Sequence, residues 1–250
     1  MLRIGVIPSR LKATRFPDKP LAKIAGKSLI RRVVERTLKS QKLDRVILAT
    51  DSQAIADEVK DLNCQVVFTD PELPSGTDRV NAAVKGLNPD IVINIQGDEP
   101  LIQFEVIDQL VTALEADSKL DLVTLGQDFK FVEEFQSPNN VKVILNDKSE
   151  AIYFSRFPIP FSRAEITDKV FPSPVVLKHI GLYGFRYTFL HTFCQTPVSI
   201  LEKSESLEQL RAMSLGARIK VIKTHHFFQG VDVPEDIQKV ENWIKLNHEK

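Results

Sequence analysis

From Arg3 to Leu125 the chain alternates short apolar runs with amphipathic segments of helical period. The runs are RIGVI (3–7), RVILAT (45–50), QVVF (65–68), DIVINIQ (90–96) and DLVTL (121–125). Each is rich in β-branched residues and nearly unbroken in apolar character, as strands buried on both faces are. Between them, SLIRRVVERTLKS carries Leu29, Ile30, Val33, Val34 and Leu38 on one helical face, with its arginines expected opposite. DSQAIADEVKDL has a capping residue in front and Ile55, Val59 and Leu62 in helical register. TDRVNAAVKGL and QFEVIDQLVTALE follow, the latter turning Ile107, Leu110, Val111 and Leu114 inward. Strands separated by helices need crossover connections, so the pattern predicts an α/β fold with a mostly parallel sheet sandwiched by helices.

After about residue 126 the pattern changes. VKVIL (141–145) and AIYFS (151–155) flank the turn-rich NDKSE and predict a hairpin. Residues 157–174 are proline-rich and read as a long loop. HIGLYGFR (179–186) reads as a strand, ESLEQLRAMSLG as a helix ending at Gly216, and RIKVIKT as a strand. The last helix begins at PEDIQKVENWIKL, where Pro234 suits the first turn and Glu235 and Asp236 complement the helix dipole. One domain is expected over 1–250, with a strand-rich excursion over roughly 127–216 and a return to the core over 217–250.

The 250 residues carry 33 basic and 33 acidic side chains. A zero balance argues against a nucleic-acid or membrane-surface binder, which shows a basic excess. Any anion site must then be a local cluster. The densest is IPSRLKATRFPDKP (7–20), with Arg10, Lys12, Arg15 and Lys19 among three prolines. Cys64 and Cys194 match no metal spacing, so no disulfide framework is expected and a reducing cytoplasm fits. The start MLRIGVIP is too short for a signal peptide, and no apolar run reaches the ~18 residues of a membrane span.

In open α/β sheets, ligands sit beyond the carboxyl ends of the strands. The loop after the first strand lacks a phosphate-cradling glycine pattern, so side-chain cations must grip any phosphate there. The alternative is a solvated basic loop. After the third strand, PSGTD enters a helix; Ser75, Gly76 and Thr77 either face a base or ribose, or Ser75 or Thr77 simply caps the helix. After the fourth, NIQGDEPLI projects Asp98 and Glu99 from a glycine turn, the hard oxygens that magnesium requires, or a solvated turn. Asp232, before the last helix, either serves helix entry or completes a metal site with Asp98. On a regular strand His179, Gly181 and Tyr183 share one face, where a His and a Tyr suit a polyol, although a satisfied structural His is the commoner case. Glu208 and Gln209 are exposed or reach a ligand, and Arg156, among prolines, is a candidate carboxylate clamp. Cations after strand one, a turn after strand three and acids after strand four make the layout of a nucleoside triphosphate–magnesium site.

These segments, in order, resemble a known family. IPSRLKATRFPDKPLAKIAGKSLI resembles the opening signature of sugar nucleotidyltransferases, and ATDSQAIADEV, PSGTDRV, NIQGDEPLI, YFSRFPIP, KHIGLYGFR, ESLEQLRA and GVDVPEDI extend it over nearly the whole chain. Together they resemble the 3-deoxy-manno-octulosonate cytidylyltransferase, or CMP-Kdo synthetase, family. The resemblance implies a nucleotidyltransferase fold like that of the A-type glycosyltransferases, a homodimer, and magnesium as cofactor. It implies transfer of CMP from CTP to the eight-carbon sugar acid Kdo, or its 8-amino derivative, for lipopolysaccharide assembly. By motif position, Ser9, Arg10, Lys19, Pro74, Ser75 and Asp78 would hold the nucleotide, with Arg10, Lys19 and Asp98 catalytic. Asp98 and Asp232 would bind magnesium, and Gln96, Arg156, His179, Tyr183, Glu208 and Gln209 the sugar acid. The first half is then nucleotide-binding, and the excursion sugar-binding and dimerising. Ser9 and Asp18 replace the family's usual Ala and Gly, and LGQDFKFVEEF (125–135) is also unusual. The rival readings are an enzyme activating sialic acid and a nucleotide-binding regulator without catalysis.

Overall fold

A computed structural model describes residues 1–12, 16–163, 166–167 and 175–247. The chain forms two compact units, one of Met1–Val111 with His226–Lys250, the other of Thr112–His225.

In the first unit, β1 (Arg3–Ser9), β4 (Arg45–Thr50), β5 (Gln65–Phe68) and β6 (Ile91–Asn94) pair in parallel in the order β6-β1-β4-β5. Their buried residues, among them Ile4, Val6, Ile47, Leu48, Val92 and Ile93, are almost wholly enclosed, which explains runs apolar on both faces. A two-residue ribbon, β2 (Lys23–Ile24) with β3 (Lys27–Ser28), leads into α1 (Leu29–Thr37). Ser28 caps α1 by accepting from the Arg31 amide. Of the arginines expected opposite the apolar face, Arg32 and Arg36 are buried. Arg32 donates to the carbonyls of Ile24 and Ala25, and Arg36 to that of Ile102. Loop carbonyls end against α1, and a guanidinium satisfies several at once.

The helix expected over 51–62 is shorter, α2 (Gln53–Asp57). Its N-cap Ser52 makes no side-chain cap bond, and Asp51 instead accepts from the Leu11 amide at 3.2 Å. Helices α3 (Gly76–Ala83) and α4 (Phe104–Ala116) follow, α4 running across the unit boundary, and α9 (Glu235–Leu246) returns to the first unit. Ile24, Leu29, Leu101, Val231, Val240 and Ile244 form an apolar cluster with Phe16, Ile237 and Trp243 against it. It ties three distant loops together: the one before α1, the one after β6 and the one before α9.

In the second unit, β7 (Leu122–Gln127) lies between β11 (Ile219–Lys223), parallel to it, and β10 (Val176–Arg186), antiparallel. β8 (Lys142–Leu145) and β9 (Ala151–Ser155) form the expected antiparallel hairpin, and β8 extends the sheet from β10. α5 (Val132–Gln136) occupies the unusual segment after β7. Two helices the sequence reading did not anticipate, α6 (Tyr187–Gln195) and α7 (Ile200–Glu205), precede α8 (Gln209–Ser214). Of the loop expected over 157–174, residues 157–163 and 166–167 fall in no helix or extended strand. The rest, like Arg15 of the opening loop, lies outside the described residues.

Candidate active site

In the first unit, the carboxyl ends of β1, β5 and β6 open toward one cavity of about 320 Å³. Of the predicted residues, Ser9, Arg10, Lys19, Pro74, Ser75, Gln96 and Asp98 line it. Two backbones meet closely at its floor: a Cβ at Gly97 would lie 2.8 Å from the Pro8 carbonyl oxygen. Only glycine allows the turn after β6 to pass so near the end of β1.

Lys19 and Asp98 are 79 residues apart, yet the Lys19 ammonium donates to Asp98 Oδ2 at 2.8 Å and lies 3.5 Å from Asp232 Oδ1. The Lys19 side chain is only 17% exposed, whereas Asp232 is 72% exposed, so the group opens to water on the aspartate side. The apolar cluster holds this arrangement from beneath through Leu101, Val231 and Ile24. The Val231 amide also donates to the Asp98 carbonyl at 2.9 Å. Helix entry falls not to Asp232 but to Asp236, which accepts from the amides of Asp232 and Val233 at 3.0 and 3.2 Å. Burial pushes the Asp236 carboxyl up, but Lys239 and those two amides hold it below the usual range. Asp232 is thereby left to face Lys19.

Glu99 does not project from the turn as expected. Its Oε2 is buried with no hydrogen-bond partner among the described residues, and burial, with the charges of Asp98 and Asp232, pushes the carboxyl up to about 8. A full negative charge beside two other carboxylates in a desolvated place is what the fold avoids.

The Ser75 hydroxyl accepts from the Asp78 amide at 3.2 Å and donates to Asp78 Oδ2 at 2.8 Å, so the pair caps α3 and stiffens the cavity wall. Asp78 stands behind Ser75 and does not line the cavity. Sequence reasoning missed Arg79, which is 3% exposed and lines the cavity. It donates to Thr69 Oγ1 and lies 3.9 Å from Asp51, and burial pushes its guanidinium below the usual range. Its signal was a cation directly after SGTD, one turn into a helix. Asp18 has φ of 54° and ψ of 23°, in the left-handed region, and is exposed. Asp tolerates that backbone better than most residues, and glycine at this position has the same conformational reason.

In the second unit, β10 brings His179 and Tyr183 together, with ring centroids 5.5 Å apart. Phe154 meets His179 edge-on at 5.0 Å. The His179 residue keeps some accessible surface, yet burial of the imidazole pushes its pKa down to about 3. Tyr183 donates to Gln209 Oε1 at 3.3 Å, and burial and the charge of Glu208 push its phenol above the usual range. So His179, Tyr183, Glu208 and Gln209 form one neighbourhood. Arg156 hangs on the end of α7: its amide donates to Glu205 Oε2, and its guanidinium to the carbonyls of Glu205, Ser206 and Pro138. Three of its five N–H groups are thus held by backbone carbonyls among the described residues. Lys142, unforeseen, is fully buried and donates to the carbonyls of Ser137 and Arg156 at 2.7 Å each. Burial pushes its pKa down to about 8. A buried pair, Arg211 with Glu202 at 2.7 Å, fixes α8 to α7, with the guanidinium over the Phe193 ring.

Among the described residues, no group of three or more His, Cys, Asp or Glu side chains could hold a metal ion. Magnesium does not need one, because it is commonly bound by one or two carboxylates with substrate phosphates and waters. Asp98 and Asp232 fit that role: both already converge on one cation, the Lys19 ammonium. No helix among the described residues is long and apolar enough to cross a membrane.

The family model described as "Cytidylyltransferase" matches residues 4–219. A 3-deoxy-manno-octulosonate cytidylyltransferase of Bdellovibrio bacteriovorus is 47% identical over 96% of this chain and 97% of its own length. One of the same name from Trichlorobacter lovleyi is 40% identical over 97% of this chain and 98% of its own. The solved structure of a CMP:2-keto-3-deoxy-manno-octonic acid synthetase complexed with CTP superposes with a TM-score of 0.91, at 34% identity, covering 99% of this chain and all of that one. A cavity at the ends of parallel strands, with a cation and two carboxylates at its rim, agrees with these likenesses, and the chain belongs to the CMP-Kdo synthetase family of cytidylyltransferases.

Proposed function

We propose that this protein is a 3-deoxy-manno-octulosonate cytidylyltransferase, which transfers CMP from CTP to Kdo and releases pyrophosphate for lipopolysaccharide assembly. The observation that carries the reading is Lys19 bound at once to Asp98 and Asp232 on the rim of the first unit's cavity. The anomeric hydroxyl of the sugar acid attacks the α-phosphorus of CTP in line, and the bond to the β-phosphate oxygen breaks as pyrophosphate leaves. Arg10, exposed at the cavity mouth, and Lys19 offset the negative charge that accumulates on the leaving group. Arg79 supplies fixed positive charge from below. Ser75 and Asp78, locked together, keep the wall of the nucleotide pocket in place.

Asp98 and Asp232 hold magnesium, which when bound neutralises phosphate charge and acts as a Lewis acid. In the second unit His179, Tyr183, Glu208, Gln209 and Arg156 are the groups that bind the sugar acid. The protein works in the cytoplasm, in keeping with two cysteines, Cys64 and Cys194, that form no disulfide among the described residues. It works as a homodimer, supported by large exposed apolar side chains in the second unit: Phe161 at 90%, Ile200 at 84% and Phe157 at 75%. Light scattering checks the dimer directly.

Pyrophosphate release measured with CTP, magnesium and a panel of Kdo, 8-amino-Kdo and sialic acid tests the assignment. Kdo is expected to give the highest kcat/KM. A reversed order between the two eight-carbon acids would overturn the sugar but leave cytidylyl transfer intact. CTP binding without pyrophosphate release from any acid would overturn the enzyme.

A further inference from the structure

The pairing of β10 with β7 slips at one place. Ile180 pairs with Leu125 and Tyr183 with Thr124, so two consecutive residues of β7 face two residues of β10 that are three apart. Gly181 and Leu182 are the surplus. In an unbroken strand the Cα atoms of His179 and Tyr183 would stand roughly 13 Å apart, four steps of about 3.3 Å, whereas here their partners on β7, Gly126 and Thr124, are only two residues apart. The bulge brings their ring centroids to 5.5 Å. A surplus of two keeps the alternation of faces, so both side chains stay on the same side of the sheet.

A bulge frees backbone carbonyls, and one side chain sits among them. Thr124, fully buried, has its hydroxyl oxygen 3.1 Å from the Ile180 carbonyl, 2.9 Å from that of Leu182 and 3.0 Å from His179 Nε2. The hydroxyl has one proton, and carbonyls only accept. If Thr124 donated to the imidazole, one contact would be satisfied and both carbonyls lost. If it donates to a carbonyl, the imidazole must donate from Nε2 to Thr124 Oγ1, and two contacts are satisfied. A neutral imidazole protonated at Nε2 has a bare Nδ1. Among the described residues Nδ1 has no hydrogen-bond partner.

We propose that Thr124 is a positioning residue for the sugar-acid site: its hydroxyl locks the bulge that joins His179 to Tyr183 and fixes His179 as the Nε2–H tautomer, so that Nδ1 accepts a hydrogen bond from a hydroxyl of the sugar acid. The inference rests on the sugar-acid reading of this neighbourhood, and it gives a residue that touches no substrate a defined effect on one substrate only.

Two measurements test it. Proton–nitrogen correlation spectra of the histidine-labelled wild-type protein at neutral pH should show His179 protonated at Nε2 and bare at Nδ1. Steady-state kinetics should show Thr124→Val raising the KM for Kdo by about tenfold, the loss of one oriented hydrogen bond, with the KM for CTP within about twofold. Thr124→Ser, which keeps the hydroxyl, should stay near wild type in both. A proton on Nδ1 in the wild type overturns the inference even if Thr124→Val fails to fold, and so does an unchanged KM for Kdo in a folded Thr124→Val. An unchanged KM for Kdo in His179→Ala would instead overturn the sugar-acid reading itself, whatever the tautomer.

Discussion

The two units solve opposite electrostatic problems. The first gathers full charges at a water-facing rim: Lys19 between Asp98 and a largely exposed Asp232, with Arg10 beside them. The second packs two of its candidate ligand groups among aromatic rings and keeps those two neutral, His179 by desolvation and Tyr183 by desolvation beside Glu208. Charged partners of a polyphosphate must remain able to exchange one counter-charge for another as substrate arrives. Groups that read hydroxyls by direction must instead be fixed in protonation and orientation beforehand. The difference teaches that substitutions at the rim of the first unit will change rate with little cost in stability, and that substitutions in the second will cost stability and act on sugar-acid binding rather than on the chemical step.

The largest effect that would break this contrast is at Asp98. Asp98→Ala is expected to lower turnover by about 10³-fold or more while the melting temperature holds, because a partly exposed carboxylate contributes charge rather than packing. Near-normal turnover in pyrophosphate release would remove Asp98 from the chemistry. On the other side, Arg211→Met strands Glu202 in a buried site and is expected to cost about 3–5 kcal/mol in denaturant unfolding. A loss under about 1 kcal/mol would show that α8 does not depend on the pair.

A subtler difference concerns pH. His179 has a pKa of about 3 in the folded protein, below its ordinary 6.5. Between those values the unfolded chain binds the proton that the folded one refuses. Stability is therefore fully present above about 6.5 and is lost as pH falls, by at most about 1.4 kcal/mol per pH unit for this one group. Urea unfolding at pH 6.5, 5.5 and 4.5 should show wild type losing stability faster than His179→Gln; parallel curves would mean the imidazole is not desolvated. The smallest effect is expected at Asp18→Gly. Glycine removes the left-handed strain but loosens the unfolded chain, so stability should change by no more than about 1 kcal/mol. The exposed charge beside Lys19 is screened by water, so the KM for CTP should move by less than about threefold. A tenfold change would make Asp18 part of the phosphate site.

The same contrast explains what could be read in advance. The first unit was legible because its strands are unbroken β-branched runs and each functional loop follows one of them directly, as QGDE follows β6. Strand ends locate a site even before any side chain is placed. What the pattern hid there were the buried cations Arg32, Arg36 and Arg79, which helical period alone does not mark, and the desolvated carboxyl of Glu99 in the turn after β6. The second unit was less legible because α7 inverts the usual rule: Glu202 is buried while Ile200 and Leu201 are exposed. Its one local signal was the capping box of Ser199 with Glu202. Strict alternation in β10 put His179 and Tyr183 on the correct face, but the bulge that makes them touch depends on a hydroxyl from the neighbouring strand β7, far away in sequence.

The central claim is that Lys19, Asp98 and Asp232 work as one electrostatic unit, and a double-mutant cycle on kcat/KM for pyrophosphate release tests it most directly. If the two carboxylates act on the same cation, Asp98→Ala with Asp232→Ala will be little worse than the more damaging single variant, within about tenfold. Losses that multiply, with each aspartate contributing its full effect regardless of the other, would contradict the account.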